Sequence, residues 1–200
     1  GLPVHVVYNG RSPGPAPRGP RARLVVSAGR LWDEAKGVAD LLAAARLGLG
    51  APVVLAGPAE HPAAPRAAPP AAPGVTWAGV LAPDALRALL ARARIYAATS
   101  RYEPFGLAPL EAALAGCALV AADIPTYREL WDGCALFYPP GDAHALAAAV
   151  RTLRDDEGRR AELAERARAR ALERYTPARM AARYEALYRA LVAGTAPSAP

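Results

Sequence analysis

Two glutamates, Glu103 and Glu111, bound the stretch EPFGLAPLE, with seven residues between them. An ionised carboxylate accepts hydrogen bonds from pairs of hydroxyl groups, so a sugar or a ribose is a fitting ligand for either one. Between them, Pro104 fixes its own φ and Gly106 can adopt a conformation that other residues avoid. A tight turn is therefore expected to lead directly into a helix rich in Ala and Leu.

The start of that helix adds a second chemical feature. The backbone N–H groups of Phe105, Gly106 and Leu107 are expected to point out of its first turn, where they suit an anion or a hydroxyl-rich ligand. Glu103 lies just before the helix and Glu111 more than one turn inside it, so the two could grip different parts of one extended ligand. In the alternative interpretation, Glu103 is a surface residue and Glu111 is the buried partner of an arginine.

A second loop, SAGRLWDEAKGV at 27–38, places Arg30 and Lys36 between a predicted strand and a predicted helix. Two cations together with helix N-terminal amides can hold a diphosphate. Lys36 is the only lysine among 24 basic residues, and its compact ammonium differs from a guanidinium where a point charge must meet phosphate. In the alternative interpretation, both side chains pair locally with Asp33 or Glu34.

Short apolar and β-branched runs alternate with helical patterns along the chain. Strands are predicted at 4–8, 23–28, 52–56, 75–79, 94–98, 118–121 and 135–138, and helices at 35–48, 83–93, 106–115, 126–131, 142–154, 157–174 and after 177. This alternation is typical of a Rossmann-like three-layer α/β domain with a mainly parallel sheet of about six strands. Ligands of such sheets bind beyond the carboxyl ends of the strands, where both loops lie.

The C-terminal helix has one apolar face, formed by Met180, Tyr184, Leu187, Tyr188 and Leu191 at helical spacing. We expect this face to pack against the domain, with a contact to a partner domain as the alternative. The tail at 194–200 is expected to be disordered.

Composition limits the partners and the compartment. The formal net charge is +6, but most arginines alternate with glutamates on predicted helices and lack stacking aromatics, which favours a solvated face and no nucleic-acid partner.

Cys117 and Cys134 have no companion at metal-ligand spacing, which predicts buried reduced thiols and no metal. No apolar run approaches the roughly 20 residues of a membrane span and the start lacks signal-peptide features, so we expect a cytoplasmic protein.

The order of these motifs resembles that of the retaining glycosyltransferases of family 4 (group 1), which have the GT-B fold. TSRYEPFGLAPLEAALAGCALVAAD matches the E-x7-E core of the family, and GRLWDEAKG resembles its GRL…KG loop. YNG, VVLAG and TWAGV correspond to its NG, strand-end and flG.v motifs, so the likeness extends over residues 4–193. Glu129 lies at the glutamate of the family's GG..E motif, although Pro125 and Thr126 replace the two glycines. The loop from Arg30 to Lys36 is one residue longer than in the commonest pattern.

The resemblance implies that residues 1–193 form the donor-binding half of a GT-B enzyme, in which a nucleotide-diphosphate sugar lies between two Rossmann-like domains. Arg30 and Lys36 would hold the diphosphate and stabilise the charge that develops on the leaving group, which makes them catalytic residues together with Glu103. Glu103 would bind hydroxyls of the donor sugar, and Glu111 would accept hydrogen bonds from the ribose hydroxyls.

The resemblance also assigns the remaining donor contacts. The amides of Phe105, Gly106 and Leu107 would lie beside the sugar, while Gly57 and the loop after Gly79 would flank the base. The family transfers with retention, with a reaction at the front face of the donor favoured over a covalent intermediate. It needs no metal or other cofactor, because the two cations take the role that a metal has elsewhere.

The implied partners are the nucleotide-sugar donor, a glycan or lipid-linked acceptor, and the N-terminal domain of the same enzyme, which is absent from this chain. In the family that domain supplies acceptor contacts and a histidine of recurring function, for which none of His5, His61 and His144 is a replacement. We therefore expect the chain to be inactive alone, and the full-length enzyme to be cytoplasmic or peripheral to the inner membrane.

Competing functions explain fewer of these features. A glycoside hydrolase also uses two carboxylates, about 5–10 Å apart, but does not need the loop from Arg30 to Lys36. A phosphoacceptor module needs acidic residues at its first strand ends, which VHVVYNG and VVSAGR do not provide. The main alternative is a non-catalytic nucleotide or nucleotide-sugar binding domain.

Overall fold

The sheet is parallel throughout and reverses its strand order at the centre. The computed structural model describes residues 4–14, 19–63 and 71–194. Six strands pair in the order β3-β2-β1-β4-β5-β6, namely β1 Ala22–Ala28, β2 Val53–Ala56, β3 Val75–Gly79, β4 Ala93–Ala98, β5 Ala118–Ala122 and β6 Ala135–Tyr138. Every neighbouring pair is parallel, which confirms the predicted Rossmann-like α/β domain.

Five of the seven α-helices of the described chain begin where the sequence supplies a side-chain cap or a proline. Asp142, Asp156 and Thr176 each accept a hydrogen bond at a helix N-terminus, and prolines open three of the helices. The α-helices of the described chain are α1 Val38–Arg46, α2 Pro83–Arg92, α3 Leu107–Leu114, α4 Pro125–Trp131, α5 Ala143–Asp155, α6 Glu157–Arg174 and α7 Pro177–Val192. A short 3₁₀ turn, Glu34–Lys36, precedes α1.

The core lies on both faces of the central strands. Every residue of β5 is buried, as expected for a parallel strand that helices cover on both sides. Cys117 and Cys134 are free and buried, which confirms the prediction of buried thiols, and burial raises the pKa of Cys117 to about 12. None of the described helices is long and apolar enough to cross a membrane.

Two predictions about the chain ends are wrong. Residues 4–8 form no strand, because Val4 and Val6 are exposed and have no neighbouring strand to pair with among the described residues. Helix α7 buries none of its residues, and Tyr188 and Leu191 remain 61% and 63% exposed. The apolar face of α7 therefore does not pack into the domain. Of the predicted disordered tail, residues 195–200 lie outside the described chain.

Gly57 joins the ends of the first three strands. Its φ is +133°, and a Cβ at this position would lie 1.8 Å from the carbonyl oxygen of Gly29, just after β1. Its N–H donates to the carbonyl of Gly79 at 2.7 Å. The absence of a side chain at Gly57 thus lets the loop after β2 touch the loop that carries Arg30.

We expect Gly57→Ala to lower the free energy of unfolding by about 3–4 kcal/mol, because a backbone clash adds to the strain of a positive φ. Gly133→Ala is the matched control: its φ is +72°, but no heavy atom lies within 4 Å of the added Cβ. That variant should lose only about 1–2 kcal/mol. Urea denaturation measures both, and equal losses would contradict the close approach.

Candidate functional site

A cavity of about 510 Å³ opens at the carboxyl ends of β1 and β4. Its walls come from the loop after β1, the end of β4 and the turn before α3. Six residues predicted for the site line it together: Arg30, Lys36, Glu103, Phe105, Gly106 and Leu107. The topology thus unites two loops that lie far apart in the sequence.

Lys36 and Glu103 form an ion pair in the wall of this cavity. The Lys36 Nζ lies 2.6 Å from the Glu103 Oε2, and the two side chains are 20% and 15% exposed. Ser100 Oγ lies 3.5 Å from the same carboxylate oxygen. The second oxygen, Oε1, has no partner among the described residues and can accept from a ligand. The pair therefore presents an ammonium and an acceptor side by side.

The turn before α3 depends on Gly106. Its φ is +91°, and a Cβ there would lie 2.8 Å from Pro109 Cγ and 3.3 Å from Glu103 Cγ. Gly106 is also the N-cap of α3, and no side chain of the described residues caps this helix. The amides of its first turn are thus free of side-chain acceptors at the cavity wall, where the helix dipole favours negative charge.

Arg30 lies at the edge of the cavity. Its guanidinium donates to Asp33 at 2.9 Å, which lowers the pKa of that carboxyl group, and its side chain is 61% exposed. It also lies over the ring of Trp32, 5.7 Å from the ring centre. The local pairing considered in the sequence analysis is therefore present for Arg30, whereas Lys36 pairs with Glu103 in the neighbouring loop after β4.

Glu111 and Gly57 do not line this cavity. Glu111 Oε1 lies 2.8 Å from Arg11 Nε, so Glu111 is the partner of an arginine, as in the alternative interpretation, although its side chain is half-buried and not buried. The carboxylate lines a second cavity of about 500 Å³ beside α2 and α3, which Arg11 and Leu81 also line. Leu81 belongs to the loop after Gly79, which was predicted to flank the base.

The segment before β1 supports the site through contacts that the sequence analysis missed. The Tyr8 hydroxyl donates to Glu129, and the Tyr8 ring lies 6.3 Å from Phe105 and 5.6 Å from Tyr175. The neighbouring Asn9 lines the first cavity. The YNG motif could have indicated that this segment belongs to the site. Local spacing, however, does not reveal which distant residues the tyrosine contacts.

The family of the chain follows from comparison with known proteins. Residues 22–156 match the family model described as Glycosyl transferases group 1. The chain belongs to this family. It is 31% identical over 184 residues to the α-maltose-1-phosphate synthase of Mycolicibacterium smegmatis, and this alignment covers 83% of the chain and 47% of that enzyme. It is 45% identical over 73 residues to a glycogen synthase of Mycobacterium tuberculosis, covering 36% of the chain and 18% of that enzyme.

Solved structures share the fold of this glycosyltransferase-family chain. A sucrose-phosphate synthase from Thermosynechococcus elongatus superimposes with a TM-score of 0.75 at 24% identity, covering 86% of the chain and 46% of the synthase. Anabaena Alr3699/HepE in complex with UDP-glucose gives a TM-score of 0.70 at 24% identity, covering 86% and 49%. The chain thus has the architecture of GT-B glycosyltransferases and spans about half the length of these relatives.

The Tyr8–Glu129 contact gives the segment before β1 a pH dependence. This hydrogen bond, together with burial, raises the pKa of Tyr8 from 10.0 to about 12. A phenol whose pKa is raised in the folded chain adds stability that is complete below its unfolded pKa and is lost as the pH rises through its folded pKa.

We therefore expect the native chain to be more stable than the Tyr8→Phe variant at about pH 8, with a difference that shrinks between about pH 10 and 12. Urea denaturation of both proteins over this range measures the difference, and the other tyrosines cancel because both proteins contain them. A difference that stays constant up to about pH 12 would contradict the contact.

Proposed function

We propose that this chain is the donor-binding half of a retaining family 4 glycosyltransferase, which transfers a sugar from a nucleotide-diphosphate sugar to an acceptor. The observation that carries the proposal is the Lys36–Glu103 pair at 2.6 Å, which shares one cavity with the N-terminus of α3, a terminus that no described side chain caps. A cation and free amides suit a diphosphate, and the adjacent carboxylate suits sugar hydroxyls. One cavity therefore offers complementary groups to both parts of a nucleotide-sugar.

The charges suggest how the diphosphate binds. Lys36 would donate to it while still touching Glu103, because an ammonium has three donors. Arg30 is more exposed than Lys36 and is held by Asp33, so it could turn from Asp33 to the diphosphate at small desolvation cost. Both cations would stabilise the negative charge on the departing nucleoside diphosphate. They would thus take the role that a metal ion has in other enzymes.

Glu103 would hold the donor sugar on the other side of the scissile bond. Its Oε1, which has no partner among the described residues, would accept hydrogen bonds from sugar hydroxyls. Its Oε2 keeps Lys36 in place. The amides of Phe105, Gly106 and Leu107 would lie beside the sugar. In this proposal the leaving group and the acceptor occupy the same face of the sugar, so that transfer retains the anomeric configuration.

The nucleoside would extend from the first cavity towards the second. Glu111 lines the second cavity together with Leu81, so its carboxylate could accept from ribose hydroxyls while the loop after Gly79 flanks the base. The nucleotide would then share Glu111 with Arg11. UDP is the first nucleotide to test, because Alr3699/HepE was solved in complex with UDP-glucose and TarM of S. aureus in complex with UDP.

The second half of the enzyme would cover the exposed face of α7. Tyr184, Tyr188 and Leu191 stay exposed on a helix that buries no residue, and the chain spans about half of its relatives. We propose that an N-terminal domain contacts this face, binds a glycan or lipid-linked acceptor and supplies the missing catalytic groups. The isolated chain would then bind donor without transferring sugar, in the cytoplasm or at the inner membrane face.

We expect Lys36→Ala to weaken UDP binding by about tenfold or more, since a hydrogen bond to a charged group contributes about 1.5–3 kcal/mol. Glu111→Ala should also weaken it, because the ribose hydroxyls lose their acceptor. Isothermal titration with UDP, GDP and ADP measures these affinities and identifies the base. Glu162→Ala is the control: this exposed residue pairs with Arg166 on α6 and should bind UDP like the native chain.

Equal affinities of the three variants would overturn the assignment of the site. A native chain that binds none of the nucleotides would overturn donor binding by this half alone. If UDP binds through Lys36 but the full-length protein neither transfers nor hydrolyses sugar from UDP-sugars, the chain is a nucleotide-binding domain without catalysis.

A further inference from the structure

Asp40 is a buried carboxylate that lies outside the groups assigned to the donor. It is located in the first turn of α1 and is only 5% exposed. Its Oδ1 accepts from the Arg101 guanidinium at 2.8 Å, and its Oδ2 accepts from the backbone N–H of Gly141 at 2.9 Å. Asp40 thus ties α1 to the loops that follow β4 and β6.

Two more hydrogen bonds join the loop after β4 to the turn after β1 that carries Lys36, around the ion pair of the site. The backbone N–H of Arg101 donates to the carbonyl of Ala35 at 2.8 Å. Thr99 Oγ1 donates to the carbonyl of Lys36 at 2.7 Å. Arg101 lies two residues before Glu103, and Ala35 directly precedes Lys36. The turn that carries the carboxylate is therefore fastened to the turn that carries the ammonium.

We propose that Asp40 is a positioning residue: through Arg101 it holds the Glu103 turn against the Lys36 turn and so fixes the Lys36–Glu103 pair. Neither Asp40 nor Arg101 lines the cavity, so both act through the residues they hold. The bond from Gly141 keeps Asp40 in place, because both carboxylate oxygens then have a donor. We call Asp40, Arg101 and the Gly141 amide the brace.

The energetics of the brace explain why Arg101 matters although its side chain is 53% exposed. Removal of the guanidinium leaves a buried carboxylate with a single amide donor, which is costly in a poorly hydrated site. The Asp40 carboxylate would then draw in water or turn outwards, and the 99–103 loop would lose its side-chain anchor to α1. The consequence that we infer is a looser Lys36–Glu103 pair. The further consequence, weaker donor binding, rests on the proposed function.

The single lysine of the chain makes the first consequence directly measurable. Protein grown with ¹⁵N-lysine has one side-chain ammonium signal, from Lys36, and the hydrogen-exchange rate of that ammonium reports its contact with Glu103. We expect Arg101→Ala to raise this exchange rate by about fivefold or more, towards the rate in Glu103→Gln, in which the pair is lost. Arg101→Lys restores a cation opposite Asp40 and adds a second ammonium signal, which the double variant Lys36→Arg/Arg101→Lys identifies. The rate of the Lys36 signal in Arg101→Lys should return towards the native value.

Arg166→Ala is the control for loss of an arginine. Arg166 is 57% exposed and pairs with Glu162 at 2.6 Å, far from Lys36 in the sequence and on the surface of α6. It should leave the exchange rate unchanged. Thermal unfolding of each variant shows that it folds. A rate in folded Arg101→Ala equal to the native rate, or no recovery in Arg101→Lys, would overturn the brace.

Titration with UDP tests the second consequence on the same proteins. We expect Arg101→Ala to bind UDP about tenfold more weakly, as is common for residues that orient a ligand-binding group, and Arg101→Lys to recover part of the loss. If the native chain binds none of UDP, GDP and ADP, donor binding by this half fails while the exchange measurement still decides the brace. If native chain binds UDP and folded Arg101→Ala binds it equally well, the brace does not position the donor site.

Discussion

The adjacency of β1 and β4 is the constraint on which the site depends. The strand order reverses between these two strands, which pair in parallel with Val25 opposite Ile95, so that their following loops leave the same edge of the sheet. Lys36 and Glu103, 67 positions apart in the sequence, meet at 2.6 Å for this reason. Doubly wound sheets bind their ligands in the crevice that such a reversal creates. The close approach of Gly57 and the turn at Gly106 both serve to shape its walls.

The charged groups of the site are already paired with one another. Lys36 contacts Glu103, Arg30 contacts Asp33 and Arg11 contacts Glu111, each within 2.9 Å. Under the proposed function, donor binding would therefore be an exchange of partners instead of a capture by bare charges. Such an exchange leaves no half-buried ion without a counter-charge at any stage, and desolvated unpaired ions are costly. It also makes the geometry of each pair, and of the residues that hold it, part of the binding site.

The sequence was sufficient for the six strands of the sheet, which follow local rules, and for the two loops that form the main cavity. Buried apolar runs between turn residues predict the six strands, and the loops after β1 and β4 then meet by topology. The segment 4–8 has the same β-branched composition but forms no strand, since pairing requires a neighbour that the composition does not reveal. The contacts of Glu111 with Arg11 and of Tyr8 with Glu129 span 100 residues or more, so no local spacing encodes them. The exposed face of α7 shows the same limit, because amphipathicity indicates a contact without naming its partner.

The most direct test of the account is the amide spectrum of the ¹⁵N-labelled chain during addition of UDP. The signals of Gly106 and Leu107, at the start of α3, are expected to shift together with those of the loop from Gly29 to Gly37, because the proposed diphosphate site lies between them. Shifts confined to other parts of the chain, such as α7, with the signals of Gly106 and Leu107 unchanged at saturation, would contradict it.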